Sequence, residues 1–291
     1  MARHTALMCT LAALISSALL LASRPASAPA FIKYRDTARA LNGGSPRRPF
    51  PNGPLPVYYE SAGVANQSRQ GTTFIVDPKG TWATAAHVTD RCAAIRFVVN
   101  QRAMPPVATP VLPLGEDISL ITGGVRSPSA FSIAAEVPRP GAKGYHMGFP
   151  MGAPGLVGSR LLGRTSAVRH AGQTDAILAW LEDWRTKEPV DELDGLSGGP
   201  VLNDRGQVVG IVSMASERRG RILTAMPGAV RRWLAAEAGQ LSAAASPPIA
   251  DRRAAVLRFQ FLINHGFIRQ VYCDVPPLRG TAHDDVTAHA Q

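Results

Sequence analysis

Gly195-Leu196-Ser197-Gly198-Gly199-Pro200 is the stretch on which the reading of this chain turns. A serine flanked by glycines sits on backbone that can bend sharply and approach other chain closely, because glycine has no Cβ. A serine hydroxyl is a poor nucleophile at neutral pH and needs an adjacent base to take its proton. Histidine titrates near neutrality and can fill that role. A buried carboxylate can then hold the imidazole in the required tautomer and stabilise its charged form. Candidates for both partners lie upstream. His87 stands in Trp82-Ala83-Thr84-Ala85-Ala86-His87-Val88, and Asp117 opens Asp117-Ile118-Ser119-Leu120. Asp117 follows His87 by 30 positions and Ser197 follows Asp117 by 80.

These three motifs resemble those of trypsin-like serine peptidases, and the order His, Asp, Ser is that of the chymotrypsin class. The resemblance spans roughly residues 57–238. Pro200-Val201-Leu202-Asn203 and Gly206-Gln207-Val208-Val209-Gly210-Ile211 are similar to bacterial members, among them the high-temperature-requirement periplasmic proteases. Gly148-Phe149-Pro150-Met151-Gly152 is similar to their Gly-x-Pro-x-Gly loop, although no PDZ-like module follows. The resemblance implies an all-β fold of two antiparallel Greek-key β-barrels ending in a helix. It implies Ser197 as nucleophile, His87 as general base and acid, and Asp117 as the orienting carboxylate. The amides of Gly195 and Ser197 take the oxyanion-hole positions, and neither a metal nor an organic cofactor is required. His170 and Asp175 form a nearby pair that lacks the strand context of Asp117.

The same resemblance places Asp191, six residues before the nucleophile, at the base of a specificity pocket. Ser213, Met214 and Ala215 fall on one wall of it and Gly220 on the other. A carboxylate there favours Lys or Arg in a substrate; the alternative is a solvated loop acid beside Glu192. Leu196 departs from the digestive enzymes, which carry Asp at that position to pair with a newly cut N-terminus. Leucine cannot make that ion pair, so activation by that switch is not expected.

Composition agrees with a β fold. The 291 residues include 27 Gly and 24 Pro, which suits short strands joined by tight turns. Gly71–Val76, Thr81–Thr84, Ala94–Val99, Ile118–Ile121, Lys143–Gly148 and Gln207–Ser213 read as strands, with weaker candidates at Gly155–Gly163 and Ala176–Leu181. The pattern predicts a first barrel over about 57–135, a second over about 140–228 and a helix over Gly228–Ala236. Residues 239–291 form a Ser, Ala and Pro linker and a tail, whose Ala254–Ile263 is amphipathic.

Residues 1–30 read as a secretory signal, with Arg3 and His4 before an apolar run from Leu7 to Ala22 and small residues after it. An uncleaved anchor is the other reading. Residues 31–56, punctuated by prolines, read as a linker or propeptide. Export to the periplasm or beyond follows, with no stable membrane association once the signal is cut. Cys9 leaves with the signal. Cys92 and Cys273 remain, as one disulfide or as two separate buried thiols. The net charge of +10 falls to about +8 without Arg3 and Arg24, and its cations are scattered. They do not interleave with aromatics as in a nucleic-acid-binding surface. The expected partners are protein or peptide substrates; oligomeric state is not readable. A second reading keeps the fold without catalysis, as a peptide-binding or chaperone-like module that holds extended chains along Ser213–Ala215.

Overall fold

The computed structural model describes residues 53–60, 67–107, 111–169, 172–186, 193–216, 220–237 and 247–275. The expected signal over residues 1–30, residues 31–52 of the Pro-rich stretch, Asp191 and His170 lie outside the described residues. The first part of the chain forms β1 (Tyr58–Tyr59), β2 (Arg69–Asp77), β3 (Thr81–Ala85), a short helix α1 (Ala86–Thr89), β4 (Ala94–Val99), β5 (Arg102–Ala103), β6 (Val111–Gly115) and β7 (Ile118–Ile121). The second forms β8 (Lys143–Gly148), β9 (Gly155–Val168), β10 (Thr174–Arg185), β11 (Pro200–Leu202), β12 (Val208–Ser216), β13 (Arg221–Ala225) and helix α2 (Gly228–Glu237). Helix α3 (Arg252–Asn264) and β14 (Ile268–Asp274) follow.

The protein is mostly β, as the strand and turn pattern predicts. In the second sheet β8, β9, β10, β13, β12 and β11 pair in sequence, and β11 pairs back onto β8. Six antiparallel strands thus close on themselves, which leaves no open edge among them. β1 joins this barrel and not the first sheet. It runs parallel to the end of β9, with Tyr58 opposite Ala167.

The first sheet has the order β5-β4-β14-β2-β3-β7-β6. The hairpin between β2 and β3 follows from Asp77-Pro78-Lys79-Gly80. The Gly80 amide donates to the Asp77 carbonyl at 3.0 Å, and the Lys79 amide to the Asp77 carboxylate at 3.0 Å. A strand from the far end of the chain, β14, lies between β2 and β4. Val271 stands opposite Gly71 on one side and Phe97 on the other. Strands β2 and β4 are neighbours of β14 and do not pair with each other, so the 252–274 segment is part of the sheet's hydrogen-bond ladder.

Helix α3 starts where Asp251 caps it, its carboxylate accepting from the Ala254 amide at 2.8 Å. Val256, Phe259 and Leu262 face inward and share a core with Phe74, Phe97, Phe131 and Ile268. Cys92, after α1, is disulfide-bonded to Cys273 of β14, with Cα atoms 5.3 Å apart. Trp82 and Trp180 are fully buried, one in each half, and their indole N–H groups donate to Val125 O and Thr224 Oγ1.

Candidate active site

His87 is the second residue of α1, directly after the buried strand β3. Asp117 occupies the two-residue turn Glu116-Asp117 between β6 and β7. Both residues have positive φ, +53° and +58°, as a type I′ hairpin turn requires. Neither is glycine, so the turn carries local strain, which Asp tolerates better than most residues. The conformation aims the carboxylate at α1. The His87 amide donates to Asp117 Oδ1 at 3.0 Å, and His87 Nδ1 lies 2.9 Å from Oδ2. The Ala86 amide donates to the Asp117 carbonyl at 3.0 Å, which ties the turn to the helix start. From β2, Arg69 donates to the His87 carbonyl at 2.6 Å.

The Asp117 carboxylate has two further neighbours. Ser213 donates its hydroxyl to Oδ2 at 2.5 Å. It sits at a shift in the β12–β13 register, where Val212 faces Thr224 and Met214 faces Leu223. Ser213 is the extra residue of that bulge, which turns its side chain out of the barrel ladder. Arg169, just past β9, brings Nη1 to 3.5 Å from Oδ2. Burial pushes the Asp117 carboxyl up, but His87, Arg169 and the Ser213 hydrogen bond outweigh it, so it stands below the usual carboxylate value. Burial pulls His87 down, and the charge and hydrogen bond of Asp117 outweigh that, so the imidazole stands above its ordinary value. Together these effects favour an ionised Asp117 beside a basic His87.

The Ser197 loop is held against the first sheet. Thr72 of β2 donates its amide to the Ser197 carbonyl at 2.8 Å and its hydroxyl to the Gly195 carbonyl at 2.7 Å. Gly198 has φ +84°, and a Cβ there would lie 2.2 Å from the Thr72 carbonyl and 2.8 Å from the Ala85 amide, so only glycine fits. This contact sets the loop against the β3–α1 junction that carries His87. Within the loop the amides of Leu196, Gly198 and Gly199 are taken by Leu193, Val212 and Leu196 carbonyls. The amides of Gly195 and Ser197 donate to no group among the described residues. Met151 donates its amide to the Asp194 carbonyl at 2.6 Å. A trans peptide points its N–H opposite its C=O, so the Gly195 N–H faces away from that loop. Gly195 has φ +92°, and a Cβ would lie 2.5 Å from the Phe149 carbonyl. Two free amides one residue apart make a concave donor pair suited to an anionic oxygen.

The Ser197 hydroxyl is half-buried and has no hydrogen-bond partner among the described residues. Met214 and Ala215 line β12 beyond the bulge, where their ladder partners lie on β13 only. Gly220 is buried and its carbonyl accepts from the Glu182 amide at 3.0 Å. Asp175 is paired to Arg169 at 2.8 Å. Thr72, Arg69 and Arg169 escaped the sequence reading, since none lies in a recognisable motif and all act across the fold. Among the described residues no cluster of His, Cys, Asp or Glu could hold a metal ion, and no helix is long and apolar enough to cross a membrane.

Comparison with known proteins gives two results. Residues 71–211 match the profile of the trypsin-like peptidase domain. The chain is also similar in structure to the active form of the Rv3671c protease from M. tuberculosis, at 20% identity, covering 70% of this chain and 99% of that one with a TM-score of 0.47. The MamO protease domain from Magnetospirillum magneticum is similar at 18% identity, with coverage of 59% and 97% and a TM-score of 0.45. A serine endoprotease from Yersinia pestis is similar at 18% identity, with coverage of 62% and 60% and a TM-score of 0.40. No curated protein matches the sequence.

Proposed function

We propose that the protein is an exported serine endopeptidase of the trypsin-like family, whose peptidase domain residues 71–211 match. In this reading Ser197 attacks the scissile carbonyl while His87 takes its proton and later returns it to the leaving amine. Asp117 holds the imidazole through Nδ1. The amides of Gly195 and Ser197 bind the oxygen that becomes negative in the tetrahedral intermediate, and water then hydrolyses the acyl-enzyme. The substrate lies extended along the open side of Ser213–Ala215, hydrogen-bonding as an added strand. The disulfide and the signal-like residues 1–30 are compatible with an oxidising compartment.

The observation that carries the proposal is the pairing of His87 with Asp117 at 2.9 Å next to a serine loop with two free amides. The open Ser197 hydroxyl favours the second reading, a peptide-binding module without turnover. A fluorophosphonate probe separates the two. Labelling of the wild type that is lost in Ser197→Ala supports the peptidase. Folded wild-type protein that stays unlabelled supports the binding module.

A further inference from the structure

Arg169 is nine-tenths buried, at the start of the β9–β10 turn, and faces three carboxylates from three parts of the chain. Asp175 of β10 holds its Nε at 2.8 Å. Gln173 in turn holds the other Asp175 oxygen at 2.9 Å. Glu60, just after β1, lies 3.7 Å from Nη1. The same Nη1 donates to the Ser213 hydroxyl at 3.1 Å and stands 3.5 Å from the Asp117 carboxylate. The turn itself is closed by the Arg169 amide donating to the Gln173 carbonyl at 2.8 Å and the Gly172 amide to the Arg169 carbonyl at 2.9 Å. The guanidinium is therefore placed by its own hairpin before any substrate arrives.

We infer that Arg169 is a positioning residue for the proposed His87–Asp117 pair, acting through Asp117 and Ser213; the inference rests on the peptidase reading above. The physical need is plain. Asp117 and Asp175 are both almost fully buried and lie against the same guanidinium, and two negative charges this close repel unless a cation stands between them. Arg169 is that cation, and its bond to Ser213 fixes the hydroxyl that donates to Asp117. It has a second effect on His87. The positive charge disfavours the imidazolium, whereas Asp117 and Glu60 favour it. The charged groups around the imidazole are thus Asp117 from the β6–β7 turn, Glu60 after β1 and Arg169 after β9, with Arg69 of β2 on its carbonyl. Arg169 keeps His87 free to accept a proton at lower pH than Asp117 and Glu60 alone would allow.

The test follows the rate of fluorophosphonate labelling of the full-length protein against pH, in wild type, Arg169→Gln, Arg169→Lys and Glu60→Gln. Arg169→Gln is expected to move the acid limb to higher pH, with labelling about tenfold slower near pH 6. Arg169→Lys should restore most of the limb. Glu60→Gln should move it the other way. If Arg169→Gln does not fold, Arg169→Gln/Asp175→Asn removes the pair together and is read in its place. A folded Arg169 variant whose limb coincides with wild type overturns the inference. If the wild type does not label at all, the peptidase reading fails. The inference is then read from the His87 titration by NMR in the same variants, where an unmoved midpoint overturns it.

Discussion

Thr72 and Gly195 are 123 positions apart and meet at 2.7 Å, the threonine hydroxyl donating to the glycine carbonyl. The same hydroxyl accepts from the Phe149 amide at 3.0 Å. One side chain of the first sheet therefore fixes both the Ser197 loop and the Gly148–Gly152 loop that flanks it. Thr72→Val keeps the shape and removes both bonds. It should leave the half-buried Phe149 amide and the buried Gly195 carbonyl without this partner, at a cost of about 1–3 kcal/mol in denaturant unfolding. Fluorophosphonate labelling should slow by roughly tenfold or more as the Gly195 peptide loosens. Labelling at the wild-type rate would show that the loop holds its shape without this contact.

Leu196 is fully buried among Leu193, Val201, Val212 and Trp180. The residue before the serine is thus a core anchor of the second barrel. Leu196→Asp should bury a carboxylate among these apolar side chains and destabilise the fold by more than about 3 kcal/mol. Leu196→Met, which conserves volume, should cost less than about 1.5 kcal/mol. Equal unfolding midpoints for the two variants would contradict this account.

His146 is completely buried, faces the Trp180 ring, and among the described residues has only the Ser159 hydroxyl as hydrogen-bond partner, at 2.7 Å. Burial pulls its pKa down to about 3. A depressed histidine favours the folded state above its unfolded value of 6.5, and that advantage is lost as pH falls towards 3. The loss amounts to about 1.4 kcal/mol per pH unit across that window. His146→Phe keeps a ring against Trp180 and leaves the Ser159 hydroxyl its bond to the Gly144 carbonyl. Its stability should fall less steeply between pH 6 and pH 4; parallel curves for variant and wild type would refute the assignment.

The Cys92–Cys273 bond closes a loop of 181 residues. In the chain-entropy picture such a crosslink stabilises by up to roughly 5 kcal/mol. Cys92→Ser/Cys273→Ser should still fold, because β14 keeps its ladder on both sides, but should melt at lower temperature. Deleting residues 251–291 is a different lesion. It removes a central strand and exposes the facing edges of β2 and β4, so the product should aggregate. A soluble, cooperatively folded truncation would mean that β2 and β4 can pair without β14.

Much of the fold was legible because its strands carry local marks. The Gly71–Val76, Ala94–Val99 and Gln207–Ser213 segments and the helix from Gly228 need only short-range patterns to be seen. The β6–β7 hairpin was read only from Ile118 onward, because its turn uses Glu116 and Asp117 where a glycine would have announced it. The sheets that β1 and β14 join carry no such local mark. Which sheet a strand joins is decided by edges that other parts of the chain leave open.

A β protein, a segment resembling trypsin-like peptidases and the three residue types that peptide hydrolysis by serine needs can all be read from the amino-acid order. Those features reside in short motifs whose chemistry does not depend on distant neighbours. It takes the folded chain to show that residues 268–274 complete the first sheet, that Thr72 secures the Gly195 peptide, and that Arg169 stands behind Asp117. Hydrogen bonds and ion pairs act over a few ångströms, and the chain brings those partners together only after both sheets have formed.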